Sequence, residues 1–181
     1  MADFSIETER LVLREWREAD ADALFASGQD ARVMQFLGPL MEHDDALGLI
    51  SGQILNQSLF GYCFWPIERK SDGVLIGFCG LNPGPEQSPL ESKLEIGWRL
   101  VHSAWGKGFA REAAEATLKW AWRSLPDNEV SSMTVVANAR SWGLMERLGM
   151  VRRPDLDFDH PDLAADNPLR PQIVYSVARP A

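Results

Sequence analysis

Polar and apolar residues alternate from Arg10 to Arg14, the period-two pattern of a strand with one buried face. Two short helical stretches are expected next. Over 18–27, Ala19, Ala23, Phe25 and Ala26 make a loose apolar face, and over 30–36 Val33 and Phe36, with Leu37 just beyond, do the same. Gly38-Pro39 then breaks the chain. Residues 43–56 read as an amphipathic helix, because Leu47, Ile50, Ile54 and Leu55 recur at three and four. Residues 62–68 and 74–81 are strand-like, and Lys70-Ser71-Asp72-Gly73 joins them as a hairpin. Three prolines and a glycine make 82–92 a loop, and 93–100 is a further strand.

After Trp105-Gly106-Lys107-Gly108 the period changes to that of a helix over 109–125. Its buried stripe holds Ala113, Ala114, Leu118 and Ala121. Arg111, Glu115, Lys119 and Arg123 lie opposite at spacing four, and Pro126 stops it. A strand over 132–137 and a short helix over 139–148 follow, the helix closed by a left-handed Gly149. Residues 154–171, with four prolines and five aspartates, form an irregular loop, and 172–178 is the last strand. There is no repeat, linker or low-complexity tract. The order β-α-α-α-β-β-β-α-β-α-β predicts one α/β domain spanning 1–181 around a mixed sheet, since the hairpin excludes an all-parallel one.

Composition narrows the class without changing this picture. A chain of 181 residues, 45% hydrophobic and 24% charged, is globular and large enough for its own core. No apolar run approaches the roughly 20 residues of a membrane span. The start, Met1 to Ser5, lacks the basic and apolar stretches of a secretory leader. Cys63 and Cys79 lack metal-site spacing and read as buried free thiols on paired strands, nearly facing one another. A cytoplasmic protein without metal is expected. The net charge of −8 opposes nucleic-acid and anionic-membrane binding. It is uneven, however: residues 1–92 carry 6 basic and 15 acidic groups, 93–153 carry 10 and 6, and 154–181 carry 2 and 5. The central segment can therefore take an anion, although random surface variation gives the same tally.

The candidate chemistry lies there. A strand ends at Leu100, a turn with Gly106 and Gly108 follows, and a helix begins at Phe109. Glycines let the backbone approach a ligand closely, and a helix start offers unpaired N–H groups and the positive end of a dipole. That combination suits a phosphate or pyrophosphate. The turn does not spell a P-loop, and Arg111 stands where a dinucleotide fingerprint needs its third glycine.

Trp105-Gly106-Lys107-Gly108-Phe109-Ala110-Arg111-Glu112-Ala113 resembles the pyrophosphate loop of the GNAT N-acetyltransferases, in the WGKGYAxEA form of the RimJ/RimL-like branch. Thr8 to Arg14 resembles that branch's TxRLxLR opening, Gly73 to Leu81 its second hairpin strand, and Glu95-Ile96-Gly97-Trp98 its EIGY strand. Asn138-Ala139-Arg140-Ser141 with Leu148-Gly149-Met150 resembles its NxxS…LGM segment. The resemblance implies a single GNAT domain: a mixed, mostly antiparallel central sheet with two splayed parallel strands and helices on both faces. Acetyl-CoA is the implied co-substrate and a primary amine, on a small molecule or a protein N-terminus, the implied acceptor.

Residue by residue, the resemblance implies that backbone of Leu100 and Val101 holds the pantetheine arm. Trp105 opens the loop whose N–H groups, from Gly106 through Lys107, Gly108 and Phe109 to Ala110, hold the pyrophosphate. Asn138 bonds the lower arm or orders the following helix. Lys107, Arg111 and Arg140 add cationic side chains or are plain solvated charges. Glu95 is the candidate base or water relay, against a carboxylate that only orders the acceptor pocket. Ser141 either hydrogen-bonds the departing thiolate or caps its helix. Met145 occupies the place where many relatives carry a tyrosine acid, which leaves Ser141 or water for that task. His102 is a second titratable candidate or an ordinary strand-end histidine.

Trp65 and Trp98 are candidate walls of an acceptor channel or core aromatics. Asp155, Asp157, Asp159 and Asp162 either attract an ammonium group or are simply solvated. A homodimer is left open. The competing readings are a GNAT-fold sensor of acyl-CoA or amines that does not turn over, and a phosphate-cofactor enzyme of another kind.

Overall fold

The computed structural model describes residues 4–181; residues 1–3, the start of the leader reading above, lie outside them. The chain runs through β1 (Ser5–Glu7), β2 (Leu11–Arg14), α1 (Ala21–Gly28), α2 (Ala31–Met34), α3 (His43–Phe60), β3 (Phe64–Arg69), β4 (Val74–Pro83) and β5 (Leu94–Leu100). It continues through α4 (Phe109–Ser124), β6 (Glu129–Thr134), α5 (Ala139–Arg147), β7 (Val151–Arg152), β8 (Phe158–Asp159) and β9 (Pro171–Ala178). The strands lie in the order β1-β2-β3-β4-β5-β6-β9-β7, with β8 also on β9. Every neighbouring pair is antiparallel except β5 with β6.

Alternation along the strands sorts side chains onto two faces. On one, Leu11, Leu13, Trp65, Ile67, Cys79, Leu81 and Ile96 are fully buried beneath α4, whose Ala113, Ala114 and Leu118 form the facing stripe. Trp65 packs edge-on to Trp120 with ring centroids 5.0 Å apart, and Cys79 Sγ lies 3.8 Å from Thr117 Oγ1. On the other face, α3 is tied to the sheet by polar contacts. Phe64 N–H donates to Gln53 Oε1 at 2.7 Å, and Asn56 Nδ2 donates to Asn82 Oδ1 at 3.1 Å. Helices therefore cover both faces.

The parallel pair is short. Leu94 pairs with Val130 and Glu95 with Ser131, and there the ladder ends. Residues 96–100 and 132–134 stay paired on their outer sides, with β4 and β9, but not with each other. The sheet opens into a wedge at the carboxyl ends of the two strands. The expected splay is present.

Several boundaries differ from expectation for identifiable reasons. β6 begins and ends three residues before the expected 132–137. Val135 and Val136 look strand-like, but the chain turns there: Asn138 N–H donates to Val135 O at 3.0 Å, and Val136 is 69% exposed. α3 extends to Phe60, past the expected Asn56, and ends on left-handed Gly61. Leu59 and Phe60 in that extension are exposed, so no apolar period marks it. The stretch 154–171 is not wholly irregular, since β8 pairs there with β9. Cys63 and Cys79 are buried free thiols, each pushed up to about 12 by burial. They do not face one another: Cys79 lies opposite Trp65.

Candidate active site

The site grows from the place where β5 leaves the sheet. Val101 N–H donates to Ile76 O at 2.9 Å, and Leu100 lies opposite Gly77. This makes Leu100–Gly77 the kind of antiparallel pair that exchanges no hydrogen bonds. The N–H and C=O of Leu100 therefore point away from β4, into the wedge. The carbonyl accepts from Trp105 Nε1 at 2.9 Å; the amide is left facing the gap. Val101 departs from expectation. Its N–H is used by Ile76 and its carbonyl by Ala104 N–H at 3.0 Å, so its backbone has no donor for a ligand, and it does not line the cavity described below.

Beyond β5 the chain makes a short 3-10 turn and reaches Gly106 and Gly108, both left-handed with φ of 72° and 81°. Such φ values favour glycine. Gly108 is the N-cap of α4 and has no side chain to cap with. Glu112, in the first turn, is turned away: its carboxylate accepts from Thr8 Oγ1 at 2.6 Å, Arg10 N–H at 2.9 Å and Arg10 Nε at 2.7 Å. The N–H groups of Phe109, Ala110 and Arg111 thus open the helix without a side-chain acceptor. Arg10 also donates to Lys107 O at 3.0 Å and stacks over Phe109 at 4.6 Å, so the β1–β2 turn buttresses the glycine turn from behind.

A cavity of about 930 Å³ joins this turn to the wedge and to α2. Of the expected site residues, it brings together Leu100, Trp105, Gly106, Gly108, Phe109, Ala110 and Arg111 with Asn138, Arg140 and Ser141 of α5 and its cap. Lys107 is exposed, its carbonyl accepting from Arg10, and is not among the residues that line the cavity. Trp98 and His102 line it. Trp65 does not; it is wholly buried, with Nε1 donating to Gln57 Oε1 at 2.8 Å, and so belongs to the core rather than to a channel.

On the α5 side, Asn138 is the helix cap. Its Oδ1 accepts Ser141 N–H at 3.4 Å while its Nδ2 donates to Thr134 Oγ1 at 3.1 Å, which leaves its side chain ordering α5. The cap is thereby Asn138 and not Ser141, whose hydroxyl has no protein partner among the described residues. Met145 is fully buried in the core. Arg140 lies over the Trp105 ring at 4.7 Å, joining α5 to the turn across the mouth.

Glu95 lies where the wedge closes, beside Ser131 and opposite Asn82, outside the cavity lining itself. It makes no ion pair with an arginine among the described residues, and burial pushes its carboxyl up to about 8. The adjacent Ser131 hydroxyl is buried without a protein partner among the described residues. The four aspartates of the acidic loop are exposed, as the solvated reading expects, and most are also paired. Asp155 pairs with Arg153 at 2.8 Å, Asp157 with Arg152, and Asp159 with Arg170 at 3.4 Å, so three of the four aspartates are neutralised locally.

Electrostatically the cavity is the reverse of the whole protein. Five arginines line it and no carboxylate does. Arg32 is paired with Asp30 at 2.6 Å and Arg111 with Glu115 at 2.8 Å; Arg99, Arg140 and Arg147 have no ion pair among the described residues. Sequence reasoning missed Arg99, which sits in the unremarkable run Trp98-Arg99-Leu100, and the α2 end of the cavity. The available signal was a charged residue at an inward position of a strand otherwise built for burial. Open main-chain donors along a wedge, a glycine turn at a helix start and a cationic lining suit an elongated ligand with an amide arm and anionic groups.

This fold and site define an acetyltransferase of the GNAT type, and comparison with known proteins agrees: residues 10–151 match the acetyltransferase (GNAT) domain, and the chain belongs to that family. It is 32% identical over 149 residues to the N-acetyltransferase p20 of Bacillus licheniformis, covering 80% of each chain. An acetyltransferase structure from Agrobacterium tumefaciens is 27% identical with a TM-score of 0.78, covering 98% of this chain and 95% of that one. The RimL structure, a ribosomal L7/L12 α-N-protein acetyltransferase in complex with coenzyme A, shares the fold with a TM-score of 0.78 at 18% identity, covering 97% and 98% of the two chains. No helix among the described residues is long and apolar enough to cross a membrane.

Proposed function

We propose that this protein transfers an acetyl group from acetyl-CoA to a primary amine by direct attack within a ternary complex, with the whole of 1–181 acting as one domain. The observation that carries the reading is the continuity of the β5–β6 wedge with the uncapped glycine turn at the start of α4. Loop amides from Gly106 to Ala110 bind the pyrophosphate, with Arg140 at the mouth adding charge. The pantetheine arm lies in the wedge as a substitute strand, meeting the Leu100 N–H. That amide also donates to the thioester oxygen as negative charge develops on it.

The amine nitrogen forms the new C–N bond and the C–S bond breaks. Glu95, through water and the Ser131 hydroxyl, takes the amine proton. The Ser141 hydroxyl hydrogen-bonds the leaving thiolate, which is then protonated. A carboxyl near 8 is well matched to an amine near pH 8, where it is about half ionised.

Release of free thiol from acetyl-CoA over an amine and peptide panel, paired with CoA calorimetry, tests this. Acetylation of some amine with CoA binding is expected. Binding without turnover across the panel favours a sensor, and no CoA binding ends the reading. The buttress gives a further expectation. Arg10→Ala frees the Lys107 carbonyl and the Glu112 carboxylate, letting Glu112 swing toward the amides it now leaves open. CoA affinity should fall roughly 10-fold, the worth of one charge-assisted hydrogen bond, read by calorimetry.

A further inference from the structure

Arg99 is the most unusual charged residue in the protein. It is only 8% exposed, yet it meets no carboxylate among the described residues. Among the described residues its Nε and Nη2 have no hydrogen-bond partner, and Nη1 has only the Met34 sulfur at 3.7 Å. The guanidinium lies over the Phe78 ring at 4.8 Å, which offsets a small part of the desolvation cost. Burial lowers its pKa only to about 10, so it keeps its charge at neutral pH. A buried, unpaired guanidinium is costly. Replacing it with an apolar side chain would relieve that cost unless something outside the chain supplies its counter-charge.

Its position says what that something is. Arg99 alternates with Leu100 along β5, so its side chain lies on the face covered by α1 to α3, opposite α4. It lines the same cavity as the Leu100 amide, at the end bounded by α2 rather than at the glycine turn. Coenzyme A phosphates belong at the turn end, leaving Arg99 to the acceptor. On the acidic loop Asp155, Asp157 and Asp159 are each already paired with an arginine, which leaves them less charge to offer a cationic acceptor.

We propose that Arg99 binds a carboxylate carried by the acceptor, close to its reacting amine. The substrate is then an acidic amine: either a free amino acid, recognised through its α-carboxylate, or a peptide with an acidic residue beside its N-terminus. This rests on the acetyltransferase reading and narrows it. Arg99 acts as a specificity-determining residue that holds the acceptor by a two-pronged guanidinium–carboxylate contact.

Matched amines separate the possibilities. Each L-amino acid is compared with its carboxamide, and dipeptide amides with aspartate or glutamate second are compared with those carrying asparagine or glutamine. The acid member should be preferred in kcat/KM by roughly 10- to 100-fold, the worth of a hydrogen-bonded charge. Whether amino acids or peptides show the preference identifies the source of the carboxylate. In Arg99→Met the ratio should collapse toward one, CoA affinity should hold, and Tm should stay level or rise because a buried charge has gone.

Calorimetric titration of N-acetyl amino acids against their amides, with and without CoA, reads the same contact without turnover. Loss of CoA binding alone defeats the acetyltransferase reading while this titration still tests Arg99. Acids no better than amides in both assays overturn the proposal. So does an Arg99→Met variant that melts lower with its acid preference intact, since that is what a purely structural arginine would do.

Discussion

Gly108→Asp is expected to weaken CoA binding by more than about 100-fold while leaving the protein folded, as the loss of two charge-assisted hydrogen bonds implies. Gly108 is left-handed, a conformation that costs an L-residue roughly 1–2 kcal/mol, with aspartate among the better tolerated. Space is not the obstacle: a Cβ there comes no nearer than 3.5 Å to Arg10 Nη2. The damage is electrostatic. Aspartate at an N-cap turns its carboxylate onto the N–H groups of the first turn. It would occupy the donors that the proposed pyrophosphate needs and place a negative charge where another must land. Calorimetry with CoA, alongside a melting curve within a few degrees of the parent, checks this. Undiminished affinity would remove the glycine turn from the site.

Glu95→Gln should lower kcat by on the order of 100-fold near pH 8.5, within the range of general-base catalysis. The acid limb of the pH–rate profile should vanish with it. Burial holds the Glu95 carboxyl up to about 8, so wild-type activity should climb as pH rises toward and past that value, whereas the amide has nothing to ionise. Stability gives an independent reading. The unfolded chain sheds this proton near 4.5 and the folded protein keeps it to about 8. Between those values the folded state holds more protons, so stability falls as pH rises. The contribution is complete below 4.5 and gone above about 8. Glutamine removes the dependence, and the variant should melt above wild type on the alkaline side. A pH–rate curve unchanged by the substitution would reduce Glu95 to a structural carboxyl.

What could be read from the sequence was local. The hairpin before β5, the glycine turn and the 3.6-residue stripe of α4 each declare themselves within a few neighbouring residues, and each lies where expected. β1 was missed because three residues with little burial carry no pattern. β7 and β8, at two residues each, exist only because β9 offers an edge. The site divides the same way. Of the cavity lining, the turn is legible from its glycine spacing, and Ser141 and Trp105 from their places in the motifs they resemble. For Val101, only the tertiary bond to Ile76 shows that its amide is already engaged. Arg99 shows along the chain only as a charge at an inward strand position; that Phe78 and Met34 surround it, and no carboxylate among the described residues does, is visible only in the fold.

The two-rung seam between β5 and β6 sets a limit on how this protein can be improved. In most sheets, lengthening a ladder is a safe route to a higher melting point. Here each added rung would zip shut the berth proposed for the acyl carrier, so on that reading robustness and turnover pull in opposite directions at one place. Engineers seeking a hardier version would do better to work on the outer edges and the exposed end of α3, leaving the incomplete middle as it is.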